Sequence, residues 1–168
     1  MELETIYKTK NESGRFSCGD IGITTEEWYD LLCNDKAEPY IDTLLAFMRE
    51  PQHCGTCSAI AQKYNYTAQH YNAKVTNFAK WVQKKLGRFR VIGTDGNDTF
   101  WTIVMQEGWE TKQGFKWQLR NELVSALRVY LMEDLIDRFR NGSPFNGYDE
   151  AYKWQLIDNT EGVSSIEI

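Results

Sequence analysis

Residues 57–87 read CSAIAQKYNYTAQHYNAKVTNFAKWVQKKLG. The spacing predicts a short helix, a tight turn at Asn65-Tyr66 and a long helix. In the short one Cys57, Ile60, Ala61 and Tyr64 recur at core spacing. In the long one Tyr71, Val75, Phe78, Val82 and Leu86 step by four, three, four and four, the apolar stripe of an amphipathic helix. Thr67 is placed to cap its start, and Gly87 stands where a helix C′ residue belongs. The opposite side displays Gln69, His70, Ala73, Lys74, Thr76, Asn77, Lys80 and Lys84. One face packs; the other is basic and hydrogen-bonding.

Charge sets this stretch apart. From Pro51 to Thr94 there is no Asp or Glu, while Lys63, Lys74, Lys80, Lys84, Lys85, Arg88 and Arg90 supply seven cations. The whole chain carries a formal charge of −5, so taking away those seven leaves −12 on the remainder. A chain with a pI of about 5.1 that gathers its positive charge in one place has the footprint of a surface that meets a polyanion. The competing reading is a solvated bundle helix, although such faces normally mix Glu with Lys.

Working outward, 168 residues suffice for one ordinary domain. Hydrophobic content of 42% and six Trp argue against disorder. No apolar run approaches the ~18 residues of a membrane span, and the N-terminus lacks a secretory signal. The chain is therefore expected in the cytoplasm, with no membrane partner and with Cys18, Cys33, Cys54 and Cys57 as reduced thiols.

Residues 1–21 read as an N-terminal arm, polar and interrupted by Gly and Ser. Thr24-Thr-Glu-Glu27 has capping-box form, and Trp28, Leu31 and Leu32 follow on one side of a helix ending near Asn34. A second helix begins at Pro39, with Ile41, Leu44, Leu45 and Met48 as its stripe, and Pro51 closes it. Beyond the long helix the period falls to two. Arg88–Ile92 is predicted as a strand, Thr94-Asp-Gly-Asn-Asp98 as a hairpin loop and Thr99–Gln106 as its second strand. A third strand at Phe115–Leu119 and a last helix from Arg120 to about Arg140 complete the pattern. Asn141–Gly147 reads as a loop or domain edge, and 141–168 as a linker or C-terminal segment. Helices, a helix-turn-helix and then a strand hairpin give the order of a winged helix: an α+β, mostly helical domain over residues 22–140.

In the docked geometry of such a fold, Gln69, His70, Asn72 and Ala73 reach base edges, with Asn77 on the same face. Lys74, Lys80, Lys84 and Lys85, with Arg88 and Arg90 in the wing, reach phosphates of double-stranded DNA. Asp95 and Asp98 conflict with this, because they place negative charge at the expected wing tip.

His53-Cys54-Gly-Thr-Cys57 offers two zinc ligands, but the chain supplies no second close pair, and ordinary thiols are the simpler reading. No cofactor is expected. Of the six Trp, Trp28, Trp101 and Trp117 fit core positions, whereas Trp109, in a Gly-flanked loop, is the candidate for an aromatic pocket around a flipped or methylated base. The sequence holds no phosphate loop, no G-x-S-x-G and no nuclease-type carboxylate pair beside a Lys, so it is read as non-catalytic.

ITTEEWYDLL at 23–32, Lys63-Tyr64, Tyr71-Asn72, Asn77, Trp101-Thr-Ile-Val104 and the run from Phe115 to Leu123 together resemble the N-terminal domain of McrB-like, modification-dependent restriction proteins. Tyr152–Ile157 is similar to the junction leading into their AAA+ GTPase motor. The resemblance spans roughly residues 22–157 and rests on aromatic and structural positions. It implies a DNA-recognition module feeding a GTP-driven translocase and a partner nuclease subunit. The motor itself is absent from this sequence, and the unpunctuated C-terminus favours a fragment over a free-standing relative. Two other readings stay open. One is a protein-interaction winged helix whose basic face meets an acidic segment. The other is a free-standing transcriptional regulator, which needs a dimer and has only the last helix to build it.

Overall fold

The computed structural model describes residues 3–140, and expectations for residues 141–168 lie outside the described residues. Among the described residues six α-helices run at Thr25–Leu32 (α1), Glu38–Met48 (α2), Cys57–Tyr64 (α3), Ala68–Leu86 (α4), Trp101–Val104 (α5) and Asn121–Arg140 (α6). Seven strands lie at Glu4–Tyr7 (β1), Thr9–Lys10 (β2), Phe16–Ser17 (β3), Cys54–Thr56 (β4), Phe89–Ile92 (β5), Met105–Thr111 (β6) and Gly114–Leu119 (β7). The class is α+β.

Local chemistry explains most helix ends. Thr24 Oγ1 accepts from the Glu27 amide at 3.1 Å while the Glu27 carboxylate accepts from the Thr24 amide at 3.3 Å, closing the capping box. Thr56 and Thr67 cap α3 and α4 through the amides of Ala59 and His70, both at 3.1 Å. Asn65 makes the turn between them in the left-handed region at φ 63°, and Gly87 ends α4 the same way at φ 64°.

The stripe of α4 enters the core as its spacing predicts. Phe78 is fully buried, with Trp28 of α1 at 6.2 Å, Tyr40 of α2 at 5.4 Å and Trp81 at 6.0 Å between ring centroids. Phe47 of α2 meets Trp117 of β7 at 6.1 Å, which joins the helical layer to the sheet. The Tyr29 hydroxyl donates to Glu133, linking α1 to α6 and holding that phenol above its ordinary pKa.

Two sheets form. Five antiparallel strands stand in the order β2-β3-β6-β7-β4. Strand β4, immediately before the helix-turn-helix, pairs with the second arm of the β6–β7 hairpin. The residues expected to form an N-terminal arm thus supply three strands, and β1 pairs in parallel with β5, Glu4 opposite Phe89 and Tyr7 opposite Ile92.

The hairpin expected from Arg88 to Gln106 is corrected. Only one bridge, Ile92 to Asp98, joins β5 to the residues just after it, and Trp101–Val104 turn into α5. Thr102, Ile103 and Val104 are all buried, so this run has no solvent face for a strand alternation to express. Arg120 fixes the turn: its guanidinium donates to the carbonyls of Thr102 at 2.5 Å, Ile103 at 3.0 Å and Gly19 at 2.8 Å. The Asp95–Asp98 loop is therefore not the tip of the hairpin. That tip is Lys112-Gln113, between β6 and β7.

Truncating Phe78→Ala should lower stability by ~3–5 kcal/mol, because three helices meet on this ring. Chemical denaturation measures the loss, and a midpoint unchanged from the parent would show that the stripe does not hold the core.

Candidate nucleic-acid interface

Helix α4 presents its exposed face to a groove of about 870 Å³. Ala68, Gln69, Asn72, Ala73, Thr76 and Asn77 form the helix wall. Across from them stand Phe16 of β3, Phe115 and Trp117 of β7 and Trp101 of α5, with Lys8 and Thr94 at the margin. Lys80 and Lys84 follow Thr76 and Asn77 at successive turns and extend the helix wall outward, both exposed.

The sheet side is a connected aromatic surface. Trp101 lies near-parallel to Trp117 at 6.0 Å and edge-on to Phe115 at 5.6 Å, and Phe16 meets Phe115 at 6.0 Å. The Lys8 ammonium sits over Phe16 at 5.1 Å and over Trp101 at 5.3 Å. Gly108 on β6 makes this surface possible. A Cβ there would come within 2.6 Å of Phe115 and 2.7 Å of Trp101, so the two rings lie directly on the glycine backbone.

On the helix side the amides are available. Asn72 Oδ1 accepts from Thr76 Oγ1 at 3.5 Å, and no hydrogen bond joins the Gln69 or Asn77 side chain to another described residue. Chemically, the groove pairs flat apolar rings with unspent donors and acceptors, which suits a planar heterocycle read by its edge.

The candidate residues separate in space. Gln69, Asn72, Ala73 and Asn77 come together on the groove. His70 and Lys74 turn to a second cleft against α2, and Lys85 to a shallow hollow beside Glu27 and Asp30. Arg88 and Arg90 are engaged within the protein. Arg88 makes a bidentate pair with Glu27, at 2.5 and 2.8 Å, and donates to the Gly22 carbonyl. Arg90 pairs with Asp98 at 2.9 Å, and Lys63 with Glu50 at 2.5 Å. The acid-free stretch is thus partly neutralised by carboxylates from outside it.

Trp109 lies on β6, not in a loop, and the Arg15 guanidinium covers its ring at 3.9 Å while pairing with Glu107. Cys54 is buried in β4. Cys57 lines the groove, with burial pushing its thiol up to about 11, so it is a weak nucleophile at neutral pH. Among the described residues no three His, Cys, Asp or Glu side chains gather as a metal site. No described helix is long and apolar enough to cross a membrane. Lys8, Phe16 and Gly108 were not singled out by the sequence, since strand pairing from distant segments brings them here.

No protein-family model, curated protein or solved structure matches the chain.

Replacing Gly108→Ala should destabilise the domain by about 1–3 kcal/mol, because two rings must leave their places. The intrinsic tryptophan emission should shift with it, and unchanged emission and melting would show that the rings tolerate the extra carbon. At Glu27, the Arg88 hydrogen bonds hold the carboxyl below its ordinary value of 4.5. The charge therefore contributes stability above that pH and loses it as pH falls through the lowered folded-state value. Glu27→Gln should cost up to about 1 kcal/mol at neutral pH, the upper end for a part-exposed pair, with parent and variant converging in acid. A gap that stays constant down to pH 3 would contradict this.

Proposed function

We propose that this chain is a nucleic-acid-binding specificity module of winged-helix type that takes double-stranded DNA along α4. The observation that carries the proposal is the groove, where Gln69, Asn72, Ala73 and Asn77 share one wall and the amides of Gln69 and Asn77 have no other described partner. The topology supports it as well. A strand precedes α3–α4 and pairs with the second arm of a later hairpin, which agrees with α3–α4 serving as reading head and β6–β7 as wing. With Lys112 at the hairpin turn, the acidic Asp95–Asp98 loop is not the tip of the hairpin, and its Asp95 stays near Lys8 at the margin of the groove.

In this proposal the α4 amides address base edges, while Lys80 and Lys84, with Lys8 at the margin, approach phosphates. The aromatic side gives an unstacked base a ring to lie on. His70, Lys74, Lys85, Arg88 and Arg90 leave the contact set proposed from the sequence. Binding rather than catalysis is the proposed role. Service in a modification-dependent restriction system, ahead of a motor and nuclease, is its finest form and rests on the sequence resemblance alone.

A second reading, a protein-interaction scaffold, draws support from the neutralised cations. Three of the seven basic residues of the acid-free stretch, Lys63, Arg88 and Arg90, already hold carboxylates.

Replacing Lys80→Glu together with Lys84→Glu should weaken duplex binding and reduce the slope of log affinity against log salt by about two. Circular dichroism should be unchanged, since both side chains project from the exposed face. Equal binding by parent and double variant at low salt would remove α4 from the interface. Selectivity between unmethylated and cytosine-methylated duplexes separates the readings. A preference excludes the scaffold, and no duplex binding at all puts the scaffold first.

A further inference from the structure

Two walls of different chemistry face each other across the groove beside α4. On the sheet side Phe16, Phe115, Trp101 and Trp117 follow one another with ring centroids 6.0, 5.6 and 6.0 Å apart. Gly108 backs Phe115 and Trp101, so both rings rest on the sheet backbone and line the open space. On the helix side Gln69, Asn72 and Asn77 are exposed, and none of the α4 residues lining the groove is charged. Of the described residues that line it, Lys8 alone carries a charge, and its ammonium lies over the Phe16 and Trp101 rings. The volume, about 870 Å³, is that of a drug-sized ligand. A duplex is too thick to enter it, while a single flipped base calls for a snugger pocket.

A paired base hides its faces in the stack and its pairing edge in the partner strand. Only an unpaired base can lay a face on these rings and turn that edge to the α4 amides at the same time. The scarcity of charge inside the groove keeps phosphates at its rim, where Lys80 and Lys84 extend the helix wall. Resting on the DNA reading above, we propose that the groove takes a short run of unpaired nucleotides and that the preferred target is a duplex interrupted by such a run. Its bases lie on Trp101 and Phe115, and the Lys8 ammonium gives up its place over the rings to follow a phosphate. Stacking on a ring tolerates any base, so the site answers to the absence of pairing before it answers to sequence.

Fluorescence anisotropy with the full chain compares a labelled intact duplex with the same duplex carrying a central run of mispaired thymines. The interrupted duplex should bind roughly tenfold tighter than the intact one, the gain of about one stacked base. Trp101→Leu, which keeps an apolar side chain but removes the ring, should erase that preference. Gln69→Ala with Asn77→Ala, both on the exposed face, should cut it severalfold. Lys80→Glu with Lys84→Glu should weaken both duplexes and keep their ratio at about tenfold. Equal affinity for the two duplexes, or a preference that survives in both the Trp101 variant and the amide variant, would overturn the proposal and leave duplex binding standing. Binding to neither duplex would instead remove the DNA reading, and this proposal with it.

Discussion

Helix α4 is held by one stripe, and the rest of the molecule depends on where that stripe points. Phe78 lies where α1, α2 and α4 meet, and its burial fixes the rotation of α4 about its own axis. With 3.6 residues per turn, committing Tyr71, Val75, Phe78 and Val82 inward leaves Gln69, Asn72, Thr76 and Asn77 no choice but to face the sheet across open space. His70 and Lys74 fall on the other flank for the same reason. The groove and the cleft are two sides of one packing decision.

The second constraint is Arg120. Its side chain is 5% exposed, and burial holds its pKa below the ordinary value. Its described partners are three backbone carbonyls and the Cys18 sulfur, with no carboxylate among them. A buried guanidinium is costly unless its donors are filled. These acceptors lie on Gly19, Thr102 and Ile103, so filling them draws the N-terminal segment and the α5 turn together. Trp101 belongs to that turn, and its ring joins Trp117 and Phe115 on the groove. A charge in the interior thus helps to place an aromatic surface at the exterior.

Short-range chemistry was legible in the sequence; long-range pairing was not. The capping box at Thr24 and Glu27, the caps at Thr67 and Gly87 and the α4 stripe depend on residues within one or two turns, and each is where local rules put it. The run from Thr99 to Gln106 has the β-branched and aromatic composition of a strand, yet burial on every side and the grip of Arg120 make part of it helical. Strand β1 finds β5 across more than eighty residues, a pairing that no periodicity announces. Charge misled most. An acid-free window in the sequence is not an acid-free surface, because Glu27, Glu50 and Asp98 arrive from before and after it to occupy Arg88, Lys63 and Arg90. The candidate residues that the fold gathers on one groove, Gln69, Asn72, Ala73 and Asn77, are those whose placement depends on helical geometry alone.

That neutralisation also constrains how a polyanion would be recognised. Each phosphate contact contributes a salt slope of about 0.9, so a surface reduced to Lys8, Lys80 and Lys84 reaches a slope near three, well below the ~10 of a strongly electrostatic binder. Such a surface would hold DNA only weakly without regard to sequence. Useful affinity must then come from contacts that differ between targets: the amides of Gln69, Asn72 and Asn77 on one wall and the rings of Trp101 and Phe115 on the other. The fold ties Arg88, Arg90 and Lys63 to carboxylates, which would shift recognition by this face from charge toward shape and hydrogen bonding.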